Sequence, residues 1–446
     1  MKNILRNISL AAGLTSLFSC SAKLDSVSPD TQISFDKISS SNLPLVVNGI
    51  KLAITNTNAF YLYYSYQDIM SDDVESIAYP TWEANNVLPT DNGLTFMYKA
   101  PYTAIATANM AIRFGDAHPG DSTIRTPLGE AYFLRAYSWM LLSEHFGGVV
   151  LVYGGEDPRS RPRRDSLGAV NAQIEKDLLR AKDLLPDYTI GTSASKQAAQ
   201  LLLARIYLNQ GRNDEALSMA TAVINSGKLS LTNKFGDIFV SGTNTSESLF
   251  RLNEMTSPSS DQYGLAYNFG PGKNAGSTKA GNGNSWIDSN LVKSYDKNDV
   301  RRGFFLRSKG GSILDSVYFL TKFPQEYNNS YPICRYPEAL LIATEATARK
   351  GTINVTWYNQ LRTARNASTR QVSDFANAAA FLSEIEQERR REFVGERLRW
   401  QDMQRFGKRD AWLQSFGQPV THALLPIPGR EIFTNPNLDQ NPDYTK

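Results

Sequence analysis

The chain has 446 residues, with 47 Lys or Arg against 44 Asp or Glu and a formal net charge of +3. Such a balance gives no electrostatic case for a nucleic-acid partner. Two cysteines, Cys20 and Cys334, exclude a fold held by a disulfide framework.

The first segment decides the compartment. Lys2 and Arg6 are the only charges before Cys20, and residues 8–18 form a short, mostly apolar stretch, whereas a membrane-spanning helix needs roughly 20 residues. A basic start, a short apolar run and small residues at its end describe a secretory signal. Its ending, Leu17-Phe18-Ser19-Cys20, resembles that of a bacterial lipoprotein, cut before the cysteine whose thiol then carries the lipid. Residues 1–19 are therefore expected as signal peptide. Residues 20–41 are expected as lipidated Cys20 plus a Ser- and Asp-rich tether. The mature chain would lose Lys2 and Arg6 and carry a charge of +1, because residues 1–19 hold no acidic residue.

Helical patterns follow. Residues 45–70 carry apolar residues at three- and four-residue spacing, which predicts two helices. Residues 94–114 predict another, with Pro101 near its start or at a kink. Residues 130–146 predict an amphipathic helix that stops at Gly147-Gly148, and 170–185 one that stops before Pro186. Residues 195–209 and 214–226 predict a helix pair around Gly211. There Leu203, Ala204, Tyr207, Gly211, Ala216 and Ala220 fall at tetratricopeptide offsets: small residues let two helices approach, and Tyr207 fills the gap. A second pair is predicted at 338–350 and 355–366, with Gly351 at its turn.

Between the pairs, residues 229–335 change texture. ESLFRLNE (247–254) and SVYFLTK (316–322) read as strands, and GPGKNAGSTKAGNGN (270–284) reads as loop. The fold class is thus mostly α: tetratricopeptide-like helix pairs form a scaffold, and a long irregular insertion holds a few short strands. Residues 42–446 are expected to make a single domain. Residues 388–405 read as one helix laced by the pairs Glu388–Arg391, Glu396–Arg399 and Arg399–Asp402, with Phe393, Trp400 and Met403 as its apolar stripe. Alternating signs disqualify it as a basic patch.

Enzyme signatures are scarce. His118, His145 and His422 lie far apart, without metal-ligand spacing. No G-x-S-x-G occurs. Gly270-Pro271-Gly272-Lys273 imitates a phosphate loop, but Tyr267 stands where the first glycine belongs. Asp72-Asp73 reads as helix-end polarity. A glycosidase needs only two carboxylates at suitable spacing, so that class stays open at this point. No cofactor or metal is expected. Cys334 reads as a small buried apolar residue.

Six stretches, taken in order, carry a resemblance. They are the signal with Cys20, Leu24 and Asp25; EAYFLRAYSWMLLSEHFGGVVLV (130–152); SKQAAQLLLARIYL (195–208); YDKNDVR (295–301); RYPEALLIATEA (335–346); and ERRREFVGERLRWQDMQRFG (388–407) with LLPIPGREIFTNPNLDQNPDY (424–444). Together they resemble the SusD/RagB family of Bacteroidetes outer-membrane lipoproteins. Val150 stands where the family usually has proline, at an expected strand edge, and Asp443 where glycine is common. The resemblance implies a mostly helical nutrient-capture protein without catalysis, held on the outer membrane through Cys20 and facing outward. It implies a TonB-dependent transporter of the SusC type as partner, and an oligosaccharide, or in some members a peptide, as ligand.

Sugar rings pack their C–H faces on aromatic side chains, and their hydroxyls need planar polar partners. Exposed rings beside amides in loops are therefore the expected site. Tyr79, Trp82, Asn85 and Asn86 form one candidate group. Tyr263, Tyr267, Asn268 and Trp286, around the glycine-rich loop, form the second. Trp139, Trp357 and Trp400 lie in helical patterns and read as core.

Overall fold

The computed structural model describes residues 35–55, 61–157, 159–191, 193–253, 264–272, 281–308, 316–324 and 329–445. Cys20, the signal segment, most of the tether and Tyr263 lie outside them. Leu43, Val46, Val47, Ile50 and Ile54 recur every three or four residues and form the buried stripe of α1 (Leu43–Ile54). A π-helical turn (Leu62–Tyr66), strand β1 (Val74–Ser76) and the short α2 (Pro80–Glu83) follow. Asp91 caps α3 (Asn92–Ala117) by accepting from the Gly93 N–H. Pro101 is buried inside α3 rather than near its start. The stretch predicted as a one-sided amphipathic helix becomes α4 (Arg125–Phe146), which is buried on nearly every side because α1, α3 and α5 (Leu167–Leu184) pack around it. It stops at Gly147, as its Gly-Gly ending predicts. Val150 lies in irregular chain, not at a strand edge, and its carbonyl accepts from the Tyr102 hydroxyl at 2.8 Å.

Helices α6 (Lys196–Asn209) and α7 (Asn213–Asn225) form the first tetratricopeptide-like pair. Ala204, Ala216 and Ala220 are fully buried, which lets the two backbones come close. Tyr207 is buried as predicted, and its hydroxyl donates to Glu175 Oε1 of α5 at 2.8 Å. The insertion contributes β2 (Ser248–Asn253), α8 (Leu265–Phe269), β3 (Ser285–Ile287), β4 (Phe305–Arg307), β5 (Tyr318–Leu320) and β6 (Ser330–Arg335). Strands β2 and β6 pair antiparallel, and the others form a sheet in the order β1-β3-β5-β4. Cys334 sits on β6, buried, and burial raises its thiol pKa. The second helix pair is α9 (Tyr336–Arg349) and α10 (Thr356–Ala364). Arg205 of α6 joins the two pairs: its Nε donates to Glu338 Oε1 of α9 at 2.6 Å, and its Nη2 to the Ile333 carbonyl at 2.7 Å.

Residues 388–405 are not one helix. Helix α11 (Ala378–Phe393) ends, and α12 (Arg399–Arg405) begins after a turn in which Gly395 and Arg397 take φ of 78° and 63°. A left-handed φ favours glycine at the first of these. The predicted Glu388–Arg391 pair forms at 2.8 Å. The other two do not, because the turn redirects their members: Glu396 meets Lys322 and Arg335, Arg399 meets Asp72 and Glu386, and Asp402 meets Arg389 and Arg405. Phe393, Trp400 and Met403 are buried, as their spacing predicts.

These charges are not a solvated face. Glu392 is fully buried between Arg301 (2.7 Å), Arg365 (2.8 Å) and Arg335. Glu247 accepts from Arg335 (3.1 Å) and Arg365 (2.5 Å), and Glu388 faces Arg301 (2.8 Å) and Arg362 (2.5 Å). The cluster ties β2, β6, α10 and α11 into one core. Burial by itself raises a carboxylate pKa, but here the surrounding guanidiniums outweigh it. They hold Glu388 down to about 2 and Glu392 well below its ordinary range.

Removing one partner of a buried ion pair strands the others, at a cost of about 3–5 kcal/mol. Glu392→Gln is therefore expected to lower the unfolding free energy by that amount in chemical denaturation. The folded pKa of Glu388 lies below its ordinary value of 4.5, so its contribution is complete above that pH and fades toward about 2. Denaturation repeated down that window should show stability falling, and a flat profile would contradict the cluster's role.

Candidate functional site

Two stretches more than 180 residues apart in sequence meet through the pairing of β1 with β3. Val74 faces Ile287, Glu75 faces Trp286, and Ser76 faces Ser285. The Ser76 and Ser285 hydroxyls share a hydrogen bond of 2.8 Å, and the Asp288 N–H donates to the Asp73 carbonyl at 2.9 Å. This register carries the Tyr79–Asn86 segment to the loops around Tyr267 and Trp286. The Tyr79 hydroxyl donates to Asn268 Oδ1 at 3.2 Å. The structure thus brings the two candidate groups into one neighbourhood, apart from Tyr263, which is outside the described residues.

The members divide by accessibility. Trp82, expected as a stacking platform, is 2% exposed. Its ring lies 4.4 Å from that of Tyr66 and near Gly93 of α3, so α2 turns it inward. Asn85 is buried, with a φ of 53°, and its Nδ2 donates to the Met70 and Glu83 carbonyls. Asn268 is buried, and its Nδ2 donates to the Gly264 carbonyl at 2.9 Å. These three have their hydrogen-bonding capacity or their faces turned to the protein. Tyr79, Tyr267 and Trp286 are half-buried, and Asn86 is exposed. Trp286 packs on Phe319 and donates its indole N–H to Glu75 Oε2 at 3.1 Å, which fixes the ring's orientation.

Tyr66, Glu75 and Glu83 belong to this neighbourhood and escape a residue-by-residue search. Tyr66 lies in the π-helical turn, a conformation frequent at functional sites, with its ring 4.7 Å from that of Tyr79. The aromatic run YLYYSY at 61–66 is the sequence signal for it. Glu83 Oε2 accepts from the Ser76 N–H at 3.1 Å, and burial raises its pKa.

Asp72 and Asp73 are anchors rather than helix-end polarity. Asp72 takes a two-pronged contact from Arg399 (Nε 2.5 Å, Nη2 2.7 Å), and Asp73 is held by Arg390. Burial pushes Asp73 up to about 6 against the pull of Arg390. For Asp72 burial also pushes upward, but the contacts from Arg399 and Arg390 outweigh it and lower the pKa. Two carboxylates with divergent pKa values are the pattern of acid–base pairs, yet both are committed to guanidiniums. Among the described residues no cluster of His, Cys, Asp and Glu is arranged to hold a metal ion.

Trp82→Ala is expected to cost ~3–5 kcal/mol of folding free energy, as a buried large-to-small change. Thermal or denaturant unfolding measures this. A variant with parental stability would show that the indole is not part of the core.

Comparison with known proteins accords with this architecture. Residues 24–208 match the family model described as starch-binding associating with outer membrane, and residues 310–422 match that of the SusD family. Among solved structures, a SusD superfamily protein from Bacteroides thetaiotaomicron is 25% identical, with a TM-score of 0.78 over 91% of this chain and 100% of its own. The surface glycan-binding protein A from Bacteroides fluxus is 22% identical, with a TM-score of 0.76 over 91% and 100%. A laminarin binding SusD-like protein is 21% identical, with a TM-score of 0.73 over 91% and 99%. No curated protein matches the chain significantly. None of the described helices is long and apolar enough to cross a membrane. With two family models matched along the sequence and a shared fold over nine tenths of its length, the chain belongs to the SusD family, whose members associate with the outer membrane.

Proposed function

We propose that this chain is an outer-membrane lipoprotein, anchored through Cys20 and facing outward, that captures an oligosaccharide intact and passes it to a TonB-dependent transporter of the SusC type. The observation that carries the reading is the β1–β3 pairing with the Tyr79–Asn268 hydrogen bond, which sets the segments of three half-buried rings, Tyr79, Tyr267 and Trp286, and of the exposed amide Asn86 in one neighbourhood. A half-buried ring held in one orientation offers a flat apolar face at little entropic cost. Glu75 supplies that hold for Trp286. Asn268 holds the Tyr79 hydroxyl, and Trp82 packs on Tyr66, whose ring neighbours that of Tyr79. The names of the glycan- and laminarin-binding neighbours support a glycan as the ligand class.

The full chain, purified in detergent, would be equilibrated with a mixed pool of oligosaccharides and peptides, and the retained material weighed by mass spectrometry. Intact oligosaccharides are expected. Retained peptides would move the ligand class, and shortened sugars in solution would make the protein a hydrolase. For a retained glycan, Trp286→Ala is expected to weaken binding by roughly 1 kcal/mol or more, and an unchanged affinity would remove Trp286 from the site. Cys20→Ala is expected to shift the protein from the membrane to the soluble fraction on cell fractionation.

A further inference from the structure

Away from Tyr79 and Trp286, a second site opens in the helical scaffold. Between α4, α5, α6, α12 and α13 (Arg409–Ser415) lies a solvent-connected cavity of about 230 Å³. Its walls hold Asn209 and Gln210 at the end of α6, Gln401 and Gln404 on α12, and Arg409.

The carboxamides here are oriented by arginines. Asn209 Oδ1 accepts from Arg405 Nη1 at 2.7 Å, Gln210 Oε1 from Arg212 Nη1 at 3.3 Å, and Gln404 Oε1 from Arg409 Nη1 at 3.0 Å. Arginine only donates, so each amide must turn its oxygen to the guanidinium and leave its NH₂ end over. Three amides are thereby set as donors.

Arg409 adds charge. Unlike the arginines of the core cluster, it forms no ion pair among the described residues; only Asp410, beyond pairing distance, acts on it. Its guanidinium lies 5.5 Å over the Trp400 ring, and its Nε is buried without a partner. On the opposite wall, Glu144 is already neutralised by Arg397.

A cavity rich in donors, with an unpaired guanidinium and its one carboxylate cancelled, suits an acceptor that carries negative charge. We propose that it binds a carboxylate presented by an oligomeric ligand, with Arg409 as the charge partner and Asn209, Gln210 and Gln404 as supporting donors. The volume is below the ~300–1,000 Å³ of a pocket that swallows a whole drug-sized molecule. It therefore takes one unit of a longer chain. A uronic-acid residue of an acidic glycan and the C-terminus of a peptide both carry this chemistry. The proposal does not depend on which ligand the Tyr79–Trp286 site takes.

The test is calorimetric titration of the full chain in detergent with two matched pairs. One pair is tri-galacturonate and its methyl ester; the other is tri-alanine and its C-terminal amide. The acid member of at least one pair is expected to bind at least tenfold tighter than its neutral partner, and the pair that discriminates identifies the source. Arg409→Gln is expected to abolish that preference. Arg409→Lys, which keeps the charge over Trp400 but lacks the fork, should retain part of it. Equal binding of acid and neutral partners, no binding of either acid, or a preference unchanged in Arg409→Gln would each overturn the proposal.

Discussion

The structure depends on a cluster of guanidiniums and carboxylates sealed away from water. Arg301, Arg335, Arg362 and Arg365 are among its largest fully buried side chains, and each meets carboxylates that it shares with other arginines. Glu392 is shared by three arginines, Glu388 by three, and Glu247 by two. Desolvating this many charges is expensive, and the expense is recovered only when all the partners are present at once. The members come from residues 247, 301, 335, 362, 365, 388 and 392. The cluster therefore cannot form until the insertion, the second helix pair and the C-terminal helices have met, which couples regions that could otherwise fold apart.

The same chemistry reaches outward to the candidate site. Asp72 and Asp73 immediately precede β1, and Arg399 and Arg390 grip them from α12 and α11. Strand β1 has three residues and pairs with a strand of equal length, too little for independent stability. Anchored to the charged core through Asp72 and Asp73 and extended by β5 and β4, this small sheet carries Trp286 on β3 and is a firm base for the segment with Tyr79 that follows β1. The candidate residues are thus held by elements that are themselves rigid.

The helix pairs build a second junction, away from β1 and β3. Close approach of α6 and α7 over alanines brings the end of α6 beside α5 and α12, and the arginines that line this junction serve two ends. Arg405 pairs with Glu345 and Asp402, and with the same guanidinium fixes the Asn209 amide. The polar cavity at that junction is a consequence of how the scaffold is stapled.

Much of the scaffold was legible from residue pattern. Helical periodicity placed α1, α3, α5 and the α6–α7 and α9–α10 pairs within a few residues, because burial of one stripe leaves a period in the sequence, and strand composition placed β2 and β5. Alanines at tetratricopeptide offsets were readable since only small side chains permit that approach. The family emerged from motif order alone. What pattern could not supply was the destination of polar side chains. A run of alternating charges looks the same whether it pairs along its own helix or with a buried partner a hundred residues away, so 388–405 read as one ion-laced helix instead of a broken one at the centre of the core. For the candidate site, loop composition named two stretches, Tyr79–Asn86 and Tyr267–Trp286, and the β1–β3 pairing sets them near each other. Which ring turns outward was decided by packing. The inward turn of α2 against Tyr66 buries Trp82, and the β1–β3 register leaves Trp286 at the surface, because a side chain's exposure depends on neighbours that are distant in sequence.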